Sequence, residues 1–334
     1  MSKQLNSYVD FENTQRSEKY KKNVEIESKI LQLNNVLAEV ETYQHGLAEY
    51  PTIFIYGLPR SGTTLLYQLI TSALDVGYIN NLMARFWRSP LYGIALSQSL
   101  LGQQTHNQFH SDYGKTGDIL GPHEYSYFWH AVLNLRTEED IVQFGKGAIN
   151  FDREKLRMIL LNMQHAFGLP VVFKAMEIGN NPSIFSELLP QSIFVYIERD
   201  LEDVALSILK ARKAYYANVD TWWATYPWNY QELKSLPYDQ QIVGQMLGLK
   251  SMYEKGLATI PDERKLCWHY QELCERPQSF IDELMNKVSA ETGYQMHQRR
   301  EKLQPFHVRK NQLSIKDDER QLLKTLESVL SGGA

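Results

Sequence analysis

The sequence predicts an α/β fold: a central parallel sheet flanked by helices, with a phosphate-binding loop at the end of its first strand. Three observations carry this. Short apolar, β-branched and aromatic runs recur along the chain, as expected of strands buried on both faces. Helical patterns separate them. The first run ends in a glycine-bearing turn that opens a helix, the local order of a nucleotide-binding α/β domain.

The elements follow in order. Residues 13–45 are rich in charge and helix formers, and Ile26, Ile30, Leu33, Leu37 and Val40 recur at helical spacing. This predicts a long amphipathic helix that packs on the body or against a second copy of the chain. After Pro51, Thr52 to Tyr56 reads as a buried strand, Gly57 to Thr64 as a turn, and Leu65 to Ile70 as a helix. Pro170 to Lys174 and Ser192 to Ile197 repeat the buried-strand pattern, with a crossover helix from Pro182 to Leu189 between them. A helix is expected over 201–212, and Lys265 to Tyr270 is a further strand candidate. The organisation expected is a helical extension over 1–50 and one domain over 51–334. In such a sheet, function belongs at the carboxyl ends of the strands.

Composition narrows the function. The chain has 334 residues, 43% of them hydrophobic, enough for a sizeable core. Its 35 basic and 39 acidic residues leave a net charge of -4, so nothing global favours nucleic acid or an anionic membrane. Only Cys267 and Cys274 are present, without metal-ligand spacing, and both are expected to be buried thiols in a reducing compartment. No metal site is expected. The N-terminus has no apolar run behind a basic start, and no apolar stretch is long enough to span a bilayer. A cytoplasmic protein is expected.

The turn after the first strand is the most specific signal. Gly57 and Gly62 have the spacing of a Walker loop, and such glycines let backbone N–H groups converge on an anion at a helix N-terminus. A kinase or GTPase would place Lys directly after the second glycine; here Thr63 stands there, and the cation lies inside the loop at Arg60. Gly57-Leu58-Pro59-Arg60-Ser61-Gly62-Thr63-Thr64 closely resembles the 5′-phosphosulfate loop of sulfotransferases that use 3′-phosphoadenosine-5′-phosphosulfate (PAPS). The resemblance implies that Arg60, Ser61, Gly62, Thr63 and Thr64 hold the donor and that 3′-phosphoadenosine-5′-phosphate (PAP) is the product.

A second match lies downstream. Arg199 ends a buried strand, and Asp203 and Ser207 follow at helical spacing. Alone, such a trio reads as a solvated helix face. Members of the family carry an Arg near a strand end and a Ser about eight residues on, both binding the 3′-phosphate; Arg199 and Ser207 match, and Asp203 is placed to orient Arg199. Trp268 to Leu273 and Arg276-Pro277 are looser echoes. Arg309 and Lys310 lie where many members place basic residues on the 3′-phosphate, although a basic pair in a polar tail is often simply solvated. The resemblance spans about residues 51 to 312 and is specific only at the two nucleotide motifs.

Sulfuryl transfer should run like phosphoryl transfer, as an in-line displacement. It needs a base for the acceptor, a cation for the leaving phosphate, and alignment. Arg60 is the first candidate cation. Lys174, at a strand end, is the second, against the plainer reading of a snorkelling lysine. For the base, the Glu that some members place soon after the loop helix has no counterpart in Gly77 to Leu82. The His that others use about 60 residues after the loop falls near His123-Glu124; Glu124 is preferred, with His123 close behind. The acceptor is expected to be a hydroxyl or amine of a small molecule or carbohydrate. Trp222, Trp223, Tyr226, Trp228 and Tyr230 form either a stacking wall for it or a packing cluster, and Asp112, Lys115 and Asp118 are candidate polar contacts. The rival readings are a phosphate-loop kinase, which leaves Arg199 and Ser207 idle, and a non-catalytic PAP- or glycan-binding protein.

Overall fold

The computed structural model describes residues 13–102, 104–106, 108–216, 218–300, 302–310 and 316–332. Along the chain run α1 (Val24–Val40), β1 (Thr52–Gly57), α2 (Thr63–Ala73), β2 (Gly77–Tyr78), α3 (Pro90–Leu101), α4 (Ser126–Val132), α5 (Glu138–Gly145) and α6 (Arg153–Phe167). Then come β3 (Val171–Lys174), α7 (Met176–Asn180), α8 (Pro182–Leu188), β4 (Ser192–Glu198), α9 (Leu201–Tyr215), α10 (Tyr230–Leu233) and α11 (Tyr238–Ala258). β5 (Lys265–His269), α12 (Tyr270–Glu275), α13 (Pro277–Thr292) and α14 (Asp317–Ser331) complete it.

The strands form one sheet in the order β2-β3-β1-β4-β5, and every pairing is parallel. The four longer strands are those the sequence predicts. Their side chains alternate across the sheet, and both faces are covered. Phe54, Tyr56, Phe173, Phe194 and Tyr196 point into one core, with α4, α8 and α11 packed over them. Ile53, Ile55, Val172, Val195 and Ile197 point into the other, closed by α2 and α13. Because the strands are parallel, their carboxyl ends gather on one edge. There β1 delivers the loop 57–62, β3 delivers Lys174, and β4 delivers Arg199.

Three expectations are corrected. The N-terminal helix is shorter than 13–45, and the anticipated stripe is not its buried face: Ile26, Leu33 and Val40 are exposed while Leu31 and Asn34 are buried. Asn34 decides this, donating to Arg85 O (2.7 Å) and accepting from Arg88 N (2.9 Å), so a satisfied polar side chain anchors the helix. Cys267 is exposed on the edge strand β5; only Cys274 is buried. The two-residue strand β2 was not anticipated. Among the described residues, no helix is long and apolar enough to cross a membrane.

Candidate functional site

Where β1 ends, Gly57 has no room for a side chain: a Cβ there would lie 2.5 Å from Ile197 O. The loop then turns through two left-handed residues, Arg60 (φ 73°) and Gly62 (φ 105°). At Gly62 the conformation suits glycine, and a Cβ would also strike the Tyr270 ring at 2.4 Å. At Arg60 it is an unusual conformation for a long side chain. The Arg60 side chain reaches α9, where Nε donates to Ser207 Oγ at 2.9 Å.

Arg199 arrives from the end of β4. Its Nη1 donates to Arg60 O (3.2 Å), Nη2 donates to Arg309 O and lies 3.5 Å from Asp203 Oδ2, and the guanidinium stacks 4.4 Å above the Tyr270 ring. Burial, then the neighbouring Arg199 cation, pulls Arg60 below its ordinary pKa, yet a guanidinium stays ionised. Two buried polar atoms of the loop and of Arg199 are without a hydrogen-bond partner: Ser61 Oγ and Arg199 Nε. Buried polar atoms are usually satisfied, so a cation pair with spare donors fits a polyanion with several phosphate or sulfate oxygens. The 11-residue helix α2 adds its N-terminal end, with no side chain capping it. A cavity of about 240 Å³ opens beside Arg199, lined among others by Leu58, Glu198, Lys250 and His269.

A second group of side chains meets on the β3 side. The Lys174 ammonium, 4% exposed, donates to Thr64 Oγ1 (2.9 Å) and forms an ion pair with Glu124. Glu124 is about one-third exposed, so the carboxylate faces outward from a buried cation. His123 is arranged differently. Its Nδ1 accepts the Tyr125 N–H at 2.8 Å, which leaves the neutral ring protonated at Nε2, a donor rather than a proton acceptor. Desolvation by the surrounding protein pushes its pKa down to about 4, against the pull of Glu124 and with help from Lys22, Arg85 and Lys174. The residue is nonetheless exposed to solvent, which limits that desolvation; the lowered pKa leaves His123 neutral at pH 7.

The turn 112–115 lies over this group. Tyr113 and Gly114 are both left-handed (φ 48° and 96°), and a methyl group on Gly114 would sit 3.7 Å from both Glu124 Oε1 and Thr64 Oγ1. Arg60 lies 5.3 Å from the Tyr113 ring centroid. The turn is latched by the N-terminal segment: Lys19 Nζ (2.6 Å) and Tyr20 OH (2.9 Å) donate to Asp112 Oδ2, and Tyr20 stacks on Tyr215 at 3.9 Å. Lys115 Nζ lies 5.3 Å and 5.0 Å from the Tyr20 and Tyr215 ring centroids.

The structure therefore brings Arg60 to Thr64, Arg199, Ser207, Lys174 and Glu124 into one neighbourhood. Arg309 and Lys310 have exposed side chains, and the Arg309 backbone joins Arg199 to the Tyr270 hydroxyl, with Arg309 N donating at 3.4 Å. Trp222, Tyr226 and Tyr230 pack on one another at 4.7–6.0 Å, and Trp223 meets Tyr215 at 5.9 Å. Sequence reasoning missed Tyr20, Tyr113 and Tyr215. Only the Tyr113-Gly114 pair carried a signal, that of a turn.

The profile of the sulfotransferase family matches residues 51–292, which include every group just described except the N-terminal latch, Arg309 and Lys310. The chain belongs to the sulfotransferase family. Its members are enzymes that use PAPS. Among solved structures, this sulfotransferase is similar to sulfotransferase STF1 from Mycobacterium tuberculosis H37Rv, at 12% identity and TM-score 0.51 over 91% of this chain and 79% of that one. Sulfotransferase STF9 from Mycobacterium avium aligns at 11% identity and TM-score 0.46 over 92% and 84%. At such identity the STF1 likeness speaks for the fold alone. A search of curated proteins returns no significant match.

Proposed function

We propose that this sulfotransferase transfers the sulfuryl group of PAPS to a hydroxyl or amine of a small-molecule or glycan acceptor, with Glu124 as base. The observation that carries the donor reading is the meeting of two half-buried arginines, Arg60 and Arg199, at the phosphate loop, where Ser61 Oγ and Arg199 Nε have no partner. Thr63, Thr64 and the loop backbone would hold the 5′-phosphosulfate; Arg199, Ser207 and the exposed Arg309-Lys310 pair would hold the 3′-phosphate.

When bound, PAPS supplies an activated sulfuryl group on a phosphate leaving group. Glu124 takes the acceptor proton as the acceptor atom bonds to sulfur, and the sulfur–oxygen bond to the 5′-phosphate breaks with its electron pair on the phosphate. Lys174 couples the two ends. Its ammonium is shared between Glu124 and Thr64. A proton on Glu124 cancels the carboxylate charge and frees the ammonium for the phosphate oxygen. Arg60 adds a second, permanently charged donor there. His123 is unsuited to the base role, since its one lone pair in the neutral ring is engaged by Tyr125 N–H. The Tyr113 turn and Tyr215 wall the acceptor side.

Free thiols at Cys267 and Cys274 fit a cytoplasmic location. The exposed Ile26, Leu33 and Val40 on α1 support contact with a second copy of the chain. Light scattering should then give a dimer mass that Leu33→Glu lowers to the monomer; a monomeric wild type removes that part of the reading.

Calorimetric titration with PAP, AMP and ATP-Mg²⁺ tests the donor assignment. PAP should bind roughly a hundredfold tighter than AMP, the worth of one or two charge-assisted contacts to the 3′-phosphate. Equal affinity for PAP and AMP, with ATP-Mg²⁺ preferred, would put a phosphate-loop kinase first.

A further inference from the structure

At the other edge of the sheet, near the amino end of β1, three metal-ligating side chains converge. His45 and Glu49 lie in the irregular connection between α1 and β1, and His165 is in the last turn of α6. Their potential ligand atoms all lie within 4.8 Å of one another. The two imidazoles stack with centroids 3.4 Å apart and planes 19° from parallel, and His165 Nδ1 lies 3.5 Å from Glu49 Oε2. None of these residues belongs to the donor or acceptor site. The residue next to His165, Gln164, bonds to Thr52 Oγ1 (2.6 Å) at the start of β1, whereas the phosphate loop lies at the strand's far end.

Buried Asn162, one turn before His165, fixes the arrangement. Its Oδ1 accepts from Gln44 N (2.9 Å) and His45 N (3.1 Å), and its Nδ2 donates to His45 O (3.0 Å). One side chain thus holds the backbone of His45 against the helix that carries His165. On a tetrahedral Zn²⁺ two nitrogens stand about 3.4 Å apart; the ligand atoms here lie within 4.8 Å of one another, and the exposed imidazoles turn out of their stack to aim both lone pairs at one ion. A cavity of about 270 Å³, lined by His45, Asn162 and His165 among others, gives room for a fourth ligand such as water.

We propose that His45, Glu49 and His165 form a site for a divalent transition metal, with Zn²⁺ the best match. Two imidazoles and one carboxylate suit zinc, copper or nickel; Mg²⁺ and Ca²⁺ ask for more oxygen ligands than this cluster offers. Bound metal would staple the connection 41–50 to the end of α6 and so fix the entry of β1 into the sheet. The proposal is independent of the sulfotransferase reading.

The test uses the full chain without an affinity tag, titrated with Zn²⁺ by calorimetry and differential scanning fluorimetry, and with Co²⁺ by visible absorption. Zn²⁺ should bind in the micromolar range and raise the melting temperature by a few degrees. Co²⁺ should give the intense bands of a four-coordinate site. The pair His45→Ala and His165→Ala should abolish both signals, Glu49→Gln should weaken binding at least about tenfold, and His297→Ala should change neither. All three side chains are exposed, so these variants should fold, which far-UV circular dichroism checks. Absence of Zn²⁺ binding by the wild type, or Co²⁺ bands that survive the double substitution, would overturn the site.

Discussion

Around the phosphate loop, the geometry is fixed largely by backbone. Gly57 is wedged against Ile197, Gly62 against Tyr270, and Arg199 is tied to main-chain oxygens of Arg60 and Arg309. On the proposed acceptor side, almost everything is side chain. Lys174, Glu124 and Thr64 meet from three elements, and the turn over them is latched by Asp112 to Lys19 and Tyr20. On the proposed reading, the donor would rest on the first kind of construction and the acceptor on the second. The two regions should therefore respond differently to substitution.

The largest effect is expected at Glu124. Glu124→Gln keeps the shape and removes the base, so kcat should fall by about 10²–10⁴ while PAP affinity measured by calorimetry is unchanged. A variant that loses PAP binding would show that the two halves are not separable. Next in size is Arg199→Ala, which should weaken PAP by about 10–100-fold and leave AMP affinity alone. Equal losses for both nucleotides would mean that Arg199 supports the loop rather than the 3′-phosphate.

The smallest effect concerns His123. Its pKa falls from an ordinary 6.5 to about 4 in the folded protein. The unfolded chain therefore binds the proton more readily, and the stability this group contributes is present above about pH 6.5 and lost as pH drops toward 4. His123→Asn should flatten acid-induced unfolding in that window, followed by fluorescence, and leave the pH–rate profile above pH 7 unaltered. A shifted alkaline or neutral limb in the rate profile would return His123 to the list of bases.

Much of the donor half is legible in the sequence because it is local. Strand, glycine turn and helix are contiguous from Thr52 to Ala73, and Arg199 and Ser207 sit on one strand-to-helix passage. Buried parallel strands also write themselves as continuous apolar runs. The acceptor half is not local. Glu124 and Lys174 are 50 residues apart, and only the order β3-β1 brings Lys174 beside the loop helix. Tyr20 meets Asp112 across 92 residues, with no pattern to announce it. β2 escaped notice because Gly77 is there to let Phe167 pack at 2.4 Å from where a Cβ would be, a tertiary reason absent from any strand propensity. On α1 the apolar stripe misled because a buried asparagine, satisfied by three backbone groups, outweighed three aliphatic side chains.

The latch over Gly114 has a practical consequence for redesign. Residues 17–20 and 112–115 meet beside the proposed acceptor site through side-chain bonds and ring stacking, and neither segment bonds to Ser61 or Arg199. The two segments can therefore be exchanged together as a cassette, as a complementary pair rather than singly, since Asp112 needs both Lys19 and Tyr20. A library confined to them, with Tyr113 kept because its ring faces Arg60 and Gly114 kept because it abuts Thr64, would sample new acceptors on the proposed donor platform.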